Sequence, residues 1–284
     1  MQRAVRAFVP GDGPDDALAA AIDLRVLGIG TLYLELAAPV TDAAGATATV
    51  VRHLDLLARL ADAESVGEIT ISPVALGLDV DEDACFGHLR TLAATAEATG
   101  SCLWLDMDGS RSVDRTLELY QRLRASHART GICLQASLRR TAKDVERLLP
   151  MAPAIRLVKS AYIEPRAAAF ATRKEVDANY LALAVTLLRE SRTRPGMRVC
   201  MATHDAALID QVTTHAAAAG ITKDGFEIGM LFGVQAREQR RLARSGYRVQ
   251  TQIPYGADWY GWYMRRLAEH PANLLHVLRQ ALPG

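Results

Sequence analysis

A mainly apolar segment near the middle of this sequence contains two charged side chains. The stretch RLVKSAYIEP begins at Arg156, so a run typical of a buried strand carries both Arg156 and Lys159. Buried charges without partners are costly, so these cations need either acidic neighbours or an anionic or electron-accepting ligand. Asp106 and Glu35 are candidates for an ion pair, and a lysine tip that reaches solvent is another ordinary explanation. The residues alone leave this choice open.

Carboxylates and a histidine follow other short apolar runs. The segment LDMD places Asp106 and Asp108 two residues apart, and MATHD contains Thr203 and His204. Two carboxylates at this spacing would need a third ligand to hold a metal ion, and Glu35 is the only obvious candidate. A lone histidine serves as a base, a cofactor contact or a hydrogen-bonded core residue.

Aromatic and basic residues cluster near the C-terminus, in ADWYGWYMRRLAE. Asp258 is a suitable N-cap for a helix through this segment. Arg265 and Glu269 are four residues apart and could pair, and a bidentate arginine grip suits a carboxylate ligand. The alternative is an aromatic stripe packed on the fold with arginine tails in solvent. The residues on one helical side are Trp259, Trp262, Tyr263 and Arg266.

Short apolar runs, rich in β-branched or aromatic residues or preceded by glycine, predict eight strands. Amphipathic segments such as VDRTLELYQRLRA, YLALAVTLLRES and LIDQVTTHAAAAG separate them and predict crossover helices. Eight such units with strands apolar on both faces predict an α/β fold, a (βα)8 TIM-type barrel. A doubly wound open sheet is the alternative, but no GxGxxG follows the first strand. The strands begin at Thr31, Glu68, Cys102, Gly131, Ala154, Met197, Phe226 and Tyr247.

The predicted organisation is one barrel domain over residues 1–284. Residues 1–29 form an N-terminal helical extension, and residues 257–284 form C-terminal helices, the last beginning near Pro271. Active sites of such barrels lie at the carboxyl ends of the strands. The polar residues expected there are Asp106, Asp108, Gln135, Arg156, Lys159, Thr203, His204 and Asp205.

Composition narrows the class of protein. The chain has 284 residues, is 50% hydrophobic and has a formal net charge of +1, which argues against a nucleic-acid partner because such partners favour a basic surface. Its four cysteines are scattered without a CxxC pair, so we expect buried core residues and no zinc site. Few cysteines and no apolar signal segment predict a cytoplasmic protein.

Several motifs in a fixed order resemble those of the flavin-dependent proline dehydrogenases. They are LDMD, LQASLRRTAKDVERLL, RLVKSAYIEP, MATHD, FEIGMLFGVQAREQRRL and QIPYGADWYGWYMRRLAE, and the resemblance runs from about Ile71 to the end. It implies a barrel with non-covalent FAD at its mouth. It also implies hydride transfer from a carbon next to an amine nitrogen, giving an imine, with a quinone, oxygen or a redox partner as electron acceptor. Such proteins are often peripheral to membranes.

The resemblance assigns roles residue by residue. Asp106, Arg265 and Arg266 match the catalytic and carboxylate-gripping residues. The matching cofactor residues are Gln135, Arg156, Lys159, Ala161, Thr203 and His204. The residues expected at the substrate are Ser72, Leu231, Gln252, Tyr263 and Glu269.

Three positions depart from the family pattern. Ser72 replaces the family's strand-two lysine, Gln252 replaces the tyrosine of YVPYG, and Ser160 replaces the glycine of KGAY. Because the first two line the substrate pocket, we expect a carboxylate-bearing amine substrate other than free L-proline, such as a substituted proline. Ordinary L-proline oxidation is the first alternative, and an inactive flavin-binding module is the second. A metal-dependent aldolase using Glu35, Asp106 and Asp108 is a third.

Overall fold

Eight parallel strands form a closed barrel, and β8 completes it by pairing with β1. The computed structural model describes residues 5–63, 67–159, 162 and 164–269, with side chains as far as residue 264. The predicted barrel is confirmed, and the open sheet is excluded because the first and last strands pair. The strands are β1 (Gly30–Glu35), β2 (Gly67–Ile71), β3 (Leu103–Leu105), β4 (Thr130–Gln135), β5 (Ala154–Val158), β6 (Arg198–Ala202), β7 (Glu227–Leu231) and β8 (Arg248–Tyr255).

Helices cover the outside of the barrel and bury the outward-facing strand residues. Two short 3₁₀ helices, Pro73–Leu76 and Leu149–Met151, lie after β2 and before β5. Each predicted crossover helix forms. The helices are α1 (Pro14–Val26), α2 (Ala43–Asp62), α3 (Glu82–Ala98), α4 (Val113–Arg124), α5 (Thr141–Leu148), α6 (Arg173–Thr193), α7 (Ala206–Ala218), α8 (Ala236–Arg244) and α9 (Trp259–Glu269).

Capping residues explain where two of these helices begin and end. The α6 helix starts well before the predicted YLALAVTLLRES because Thr172 and Glu175 form a capping box at its first turn, which satisfies backbone N–H groups that have no partner within the helix. The α7 helix ends at Ala218, and Gly220 follows with a φ of 68°. That left-handed conformation suits glycine, which is the usual residue just after the C-terminus of a helix.

An ion-pair network fills the N-terminal half of the barrel interior. Arg198 reaches Glu68 with a 2.5 Å contact and Glu227 with a 2.8 Å contact. Glu68 also accepts hydrogen bonds from the indole of Trp104 at 2.7 Å and the amide of Gln250 at 2.5 Å. Buried charges persist where partners of this kind satisfy them. The network closes this end of the barrel, so a ligand must enter from the other end.

The first described residues and the α9 helix meet beside the mouth of the barrel. Val5 and Val9 pack with Leu36, Trp262 and Tyr263 in a small apolar cluster, and α1 packs against β1 and β8. The α9 helix begins directly after Asp258, as predicted, and the last predicted helix lies outside the described residues. The proposed division into 1–29, barrel and 257–284 stays a prediction.

No helix in the described part of the chain combines the length and apolar character needed to cross a bilayer.

Candidate active site

A cavity of about 980 Å³ opens at the carboxyl ends of the strands. This volume lies near the upper end of the range for small-molecule and cofactor sites. Most of the residues predicted for the site line it, so the barrel brings them together although they are far apart in sequence. They are Ser72, Asp106, Asp108, Gln135, Arg156, Lys159, Thr203, His204, Leu231 and Gln252.

Arg156 lies in the barrel interior at the floor of this cavity and is buried. Its guanidinium donates to the carboxylate of Asp106 and, at 3.3 Å, to the hydroxyl of Thr70. Burial alone would lower the pKa of Arg156, but the negative charge of Asp106 keeps the pKa above its usual value. The ion pair with Asp106 that the sequence left open is therefore present. It keeps a fixed cation at the floor of the cavity.

Three residues that line the cavity on the β4 and β5 side each carry a buried polar atom with no hydrogen-bond partner among the described residues. The atoms are Oε1 of Gln135, Oγ of Ser137 and Nε of Arg156. The amide nitrogen of Gln135, in contrast, donates to the backbone carbonyls of Met107 at 2.9 Å and Asp108 at 3.1 Å, which leaves only its oxygen to be satisfied. Since buried polar groups are nearly always paired, these atoms indicate a polar ligand with both donors and acceptors.

Lys159 lies at the rim of the cavity between two carboxylates. Its ammonium is 2.5 Å from Asp177 and 3.0 Å from Asp205, and Arg173 lies 3.1 Å from Asp205. Burial opposes ionisation of Asp205, but hydrogen bonds from Lys159 and Arg173 hold its pKa below the usual value. The partners considered from sequence, Asp106 and Glu35, are thus wrong for Lys159, because its side chain extends toward α6 and α7.

The ends of β6 and β7 are tied together by His204. Its Nε2 accepts a hydrogen bond from the backbone N–H of Leu231 at 2.8 Å, so a neutral ring carries its proton on Nδ1. The hydroxyl of Thr203 accepts from the backbone N–H of Asp205 at 3.1 Å. These contacts fix the orientation of both side chains at the cavity wall.

A second carboxyl, Asp108, lies at the end of β3 opposite β2. The hydroxyl of Ser72 donates to its Oδ2 at 2.5 Å, and the hydroxyl of Tyr162 donates to its Oδ1 at 3.3 Å. Burial raises the pKa of Asp108, and the neighbouring Asp106 adds to the effect, although both hydrogen bonds favour the ionised form. No lysine or arginine whose side chain the structure describes forms an ion pair with it.

The predicted substrate residues on β7, β8 and α9 divide into two groups. Leu231 and Gln252 are register partners and both line the cavity. Trp262 lines it as well, whereas Tyr263 packs against Phe8 with ring centroids 6.0 Å apart. The structure therefore brings Trp262 to the cavity, and it places Tyr263 in the apolar cluster with the N-terminal segment.

Ala161 and the side chains of Arg265, Arg266 and Glu269 lie outside the described residues, and their roles stay predictions.

The carboxylates proposed for a metal site are each engaged elsewhere. Glu35 pairs with Arg52 at 2.5 Å, Asp106 pairs with Arg156, and Asp108 accepts from Ser72. Among the described residues, no group of three or more His, Cys, Asp or Glu side chains is arranged to hold a metal ion. The arrangement gives the aldolase alternative no support.

A family model for proline dehydrogenase matches residues 17–278. The chain belongs to the proline dehydrogenase family. It is similar to the proline dehydrogenase of Deinococcus radiodurans, with 35% identity in an alignment that covers 100% of this chain and 92% of that protein. It is also similar to proline dehydrogenase 2 of Bacillus subtilis, with 34% identity over 226 residues, 80% of this chain and 73% of that protein. Proline dehydrogenases are oxidoreductases, and this family member acts on a CH–NH donor.

The fold of this proline dehydrogenase family member is also found in a much longer protein. Proline utilization A from Bdellovibrio bacteriovorus superposes with a TM-score of 0.86 and 23% identity over 94% of this chain. The match spans only 33% of that protein's length. At this level of identity the likeness supports the (βα)8 barrel and no detail of the site.

Proposed function

We propose that the chain is an FAD-dependent dehydrogenase that oxidises a proline-like amino acid other than free L-proline. The proposal depends on a difference between two sides of the same cavity. The β4 and β5 side keeps buried polar atoms in need of a ligand, on Gln135 and Arg156. The β2 and β8 side carries Ser72 and Gln252, where the family pattern has lysine and tyrosine.

The unpaired atoms fit a flavin ring. The pyrimidine edge of isoalloxazine presents an N–H donor and carbonyl acceptors, while Gln135 Oε1 needs a donor and Arg156 Nε–H needs an acceptor. A cation held against the ring also favours the reduced, anionic cofactor. We propose that Gln135 and Arg156 hold the ring non-covalently, with Lys159, Thr203 and His204 beside it and Ala161 as a further predicted contact.

Bound FAD would supply the hydride acceptor, and the protein's own residues would bind and orient the substrate. Asp106 fixes Arg156 through their ion pair, and the Arg198 network closes the opposite end of the barrel, so the substrate would approach from the carboxyl ends of the strands. Leu231 and Trp262 add apolar wall on the side opposite β4. The electron acceptor, a quinone, oxygen or a redox partner, stays a prediction, as do a cytoplasmic location and peripheral membrane contact.

The altered pocket supports an altered substrate. A lysine at residue 72 would place a positive charge beside Asp108, whereas Ser72 supplies only a short hydroxyl. A tyrosine at residue 252 would add an aromatic wall that Gln252 lacks. The pocket therefore loses one cation and gains room and polarity, which suits a substituted ring better than the unsubstituted ring of proline.

An anaerobic titration of the FAD-loaded protein tests the proposal. We expect its visible flavin absorbance to bleach with a substituted or aza-substituted cyclic amino acid at a higher kcat/KM than with L-proline. If L-proline gives the highest kcat/KM of the panel, the chain is an ordinary proline dehydrogenase. If FAD binds and no amine reduces it, the inactive flavin-binding module is the better description.

The resemblance also predicts that Arg266 grips the substrate carboxylate. Replacing it by alanine removes a charge-assisted hydrogen-bond donor, which is worth about 1.5–3 kcal/mol, so we expect KM to rise roughly tenfold or more. Steady-state kinetics measures the rise, and the flavin content should not change. Arg244→Ala, on the exposed side of α8, is the matched control. An unchanged KM in Arg266→Ala would remove this residue from the carboxylate grip.

A further inference from the structure

Asp108 is a carboxyl group in the cavity that the proposed flavin contacts do not use. It lines the cavity together with Ser72 and Tyr162, and those two hydroxyls donate one hydrogen bond to each of its oxygens. A carboxylate offers about four lone-pair positions. Two hydroxyl donors therefore leave capacity for another donor from the cavity side.

Hydrogen bonds hold the Ser72 side chain in place, but its uncharged hydroxyl cannot neutralise the carboxylate of Asp108. Its hydroxyl oxygen accepts the backbone N–H of Val74 at 3.1 Å while its O–H points to Asp108 at 2.5 Å. Among the described residues, two cations that line the same cavity are committed elsewhere, since Arg156 pairs with Asp106 and Lys159 lies between two other carboxylates. Asp108 is therefore left as an acceptor facing the ligand space.

We propose that Asp108 is a specificity-determining residue that accepts a hydrogen bond from a donor on the substrate ring. The substrate class that follows is a cyclic amino acid with an O–H or N–H group in addition to the amine that is oxidised. This inference rests on the proposed function and assigns its substrate class. Free L-proline has no such donor on its ring carbons.

The preference has a physical cause. A site built to accept a substrate hydrogen bond rejects the analogue that lacks the donor, because binding the analogue leaves a desolvated acceptor unpaired. We expect the donor-bearing compound to exceed its plain counterpart by roughly ten- to a hundredfold in kcat/KM, the range that one unpaired buried group produces.

Two pairs of compounds, each matched in ring size, show the effect of the additional hydrogen-bond donor on kcat/KM. The first pair is 4-hydroxyproline and L-proline, and the second is hexahydropyridazine-3-carboxylate and pipecolate. Anaerobic stopped-flow reduction of the FAD-loaded protein gives kcat/KM for each compound. In each pair only one member carries the additional donor, so the ratio within a pair reports recognition by the pocket. Comparing the pairs distinguishes an O–H donor from an N–H donor.

Two variants test whether Asp108 causes the ratio. Asp108→Leu removes both acceptor oxygens, and Ser72→Lys supplies a cation that would occupy Asp108 without deleting it. The ratio of interest is kcat/KM for the donor-bearing compound divided by kcat/KM for its plain counterpart. We expect either variant to lower this ratio at least tenfold in the preferred pair, while the flavin content stays at the wild-type level. Asp62→Asn, an exposed carboxylate at the end of α2, should leave the ratio unchanged.

The outcomes are distinguishable. A wild-type protein that is reduced by amines without preference for either donor would overturn the inference and the altered substrate of the proposed function, and it would leave only the FAD-dependent dehydrogenase activity standing. The inference would also be wrong if the kcat/KM ratio of the preferred pair were unchanged in both the Asp108 and the Ser72 variants. A protein that binds FAD and is reduced by no member of the panel would refute the proposed function and this inference with it.

Discussion

Replacing Arg156 by methionine is expected to abolish tight flavin binding while leaving the barrel folded. The arginine is buried at the floor of the cavity, and its Nε has no partner among the described residues. Methionine occupies much of the same volume but offers neither a charge nor a donor. We expect the purified variant to contain less than about a tenth of the wild-type FAD, which corresponds to a loss of roughly 1.4 kcal/mol or more in binding.

The same substitution removes the partner of Asp106. Breaking a buried ion pair costs about 3–5 kcal/mol when the remaining charge is fully buried. The Asp106 side chain keeps 21% exposure, so we expect a loss of stability at or below the lower end of that range. Combining Arg156→Met with Asp106→Asn should restore most of this stability without restoring the flavin.

Flavin content after reconstitution and thermal unfolding together check this prediction. Arg156→Lys is the matched control, because it keeps a charge and loses the planar guanidinium with its Nε donor. An Arg156→Met variant that retains wild-type FAD would remove Arg156 from the flavin site. If stability falls equally in the single and double variants, the loss comes from packing and the Asp106 charge plays no part.

The fold could be predicted because hydrophobic periodicity depends on local sequence. Every run that was expected to be a strand is one, including the shortest, Leu103–Leu105, since strands buried on both faces remain apolar throughout. The barrel then follows from the regular alternation of strands and helices. The ends of elements were less predictable, as α6 shows, because its start depends on the capping pair Thr172 and Glu175.

The partners of charged residues could be predicted only in part. The register of β3, β4 and β5 places Asp106, directly after β3, level with Arg156 on β5 inside the barrel, and their ion pair is one that the sequence suggested. Lys159 instead meets Asp177 of α6 and the N-cap of α7. No spacing rule links these residues, because a long connection separates β5 from α6. The sequence did indicate that Arg156 and Lys159 have different partners, because residues three apart point to opposite sides of a strand.

Helical periodicity placed the aromatic residues of α9 on one side without fixing its rotation. Trp262 and Tyr263 are adjacent in sequence and therefore about 100° apart around the axis, so a small rotation decides which of them lines the cavity. The contact of Tyr263 with Phe8 fixes that rotation, and Phe8 lies in a part of the sequence where the family motifs are not found.

Replacing Arg198 by methionine should destabilise the protein more than any substitution at the mouth. Arg198 stands between Glu68 and Glu227 in the closed half of the barrel, and the side chain of Glu227 is only 4% exposed. Without the arginine, the partly buried Glu68 loses the cation that it contacts, and the buried Glu227 keeps only Arg248, at 2.7 Å. Leaving buried charge uncompensated costs about 3–5 kcal/mol, a large share of the usual 5–15 kcal/mol of folding stability.

Chemical denaturation measures this loss as a lower midpoint with an unchanged slope. Arg240→Met, on the exposed face of α8, is the control and should change the free energy of unfolding by less than about 0.5 kcal/mol. Adding Glu68→Gln and Glu227→Gln to Arg198→Met should recover much of the stability, because amides tolerate burial without a cation.

The Arg198 experiment also tests whether the two halves of the barrel act separately. Arg198, Glu68 and Glu227 do not line the cavity, so the folded variant should still bind FAD and reduce it with the same substrate preference. Unchanged stability would mean that the ion pairs contribute nothing beyond apolar packing. A stable variant with an altered substrate preference would instead connect the closed end to the mouth through Thr70 and Arg156, whose side chains are hydrogen-bonded to each other.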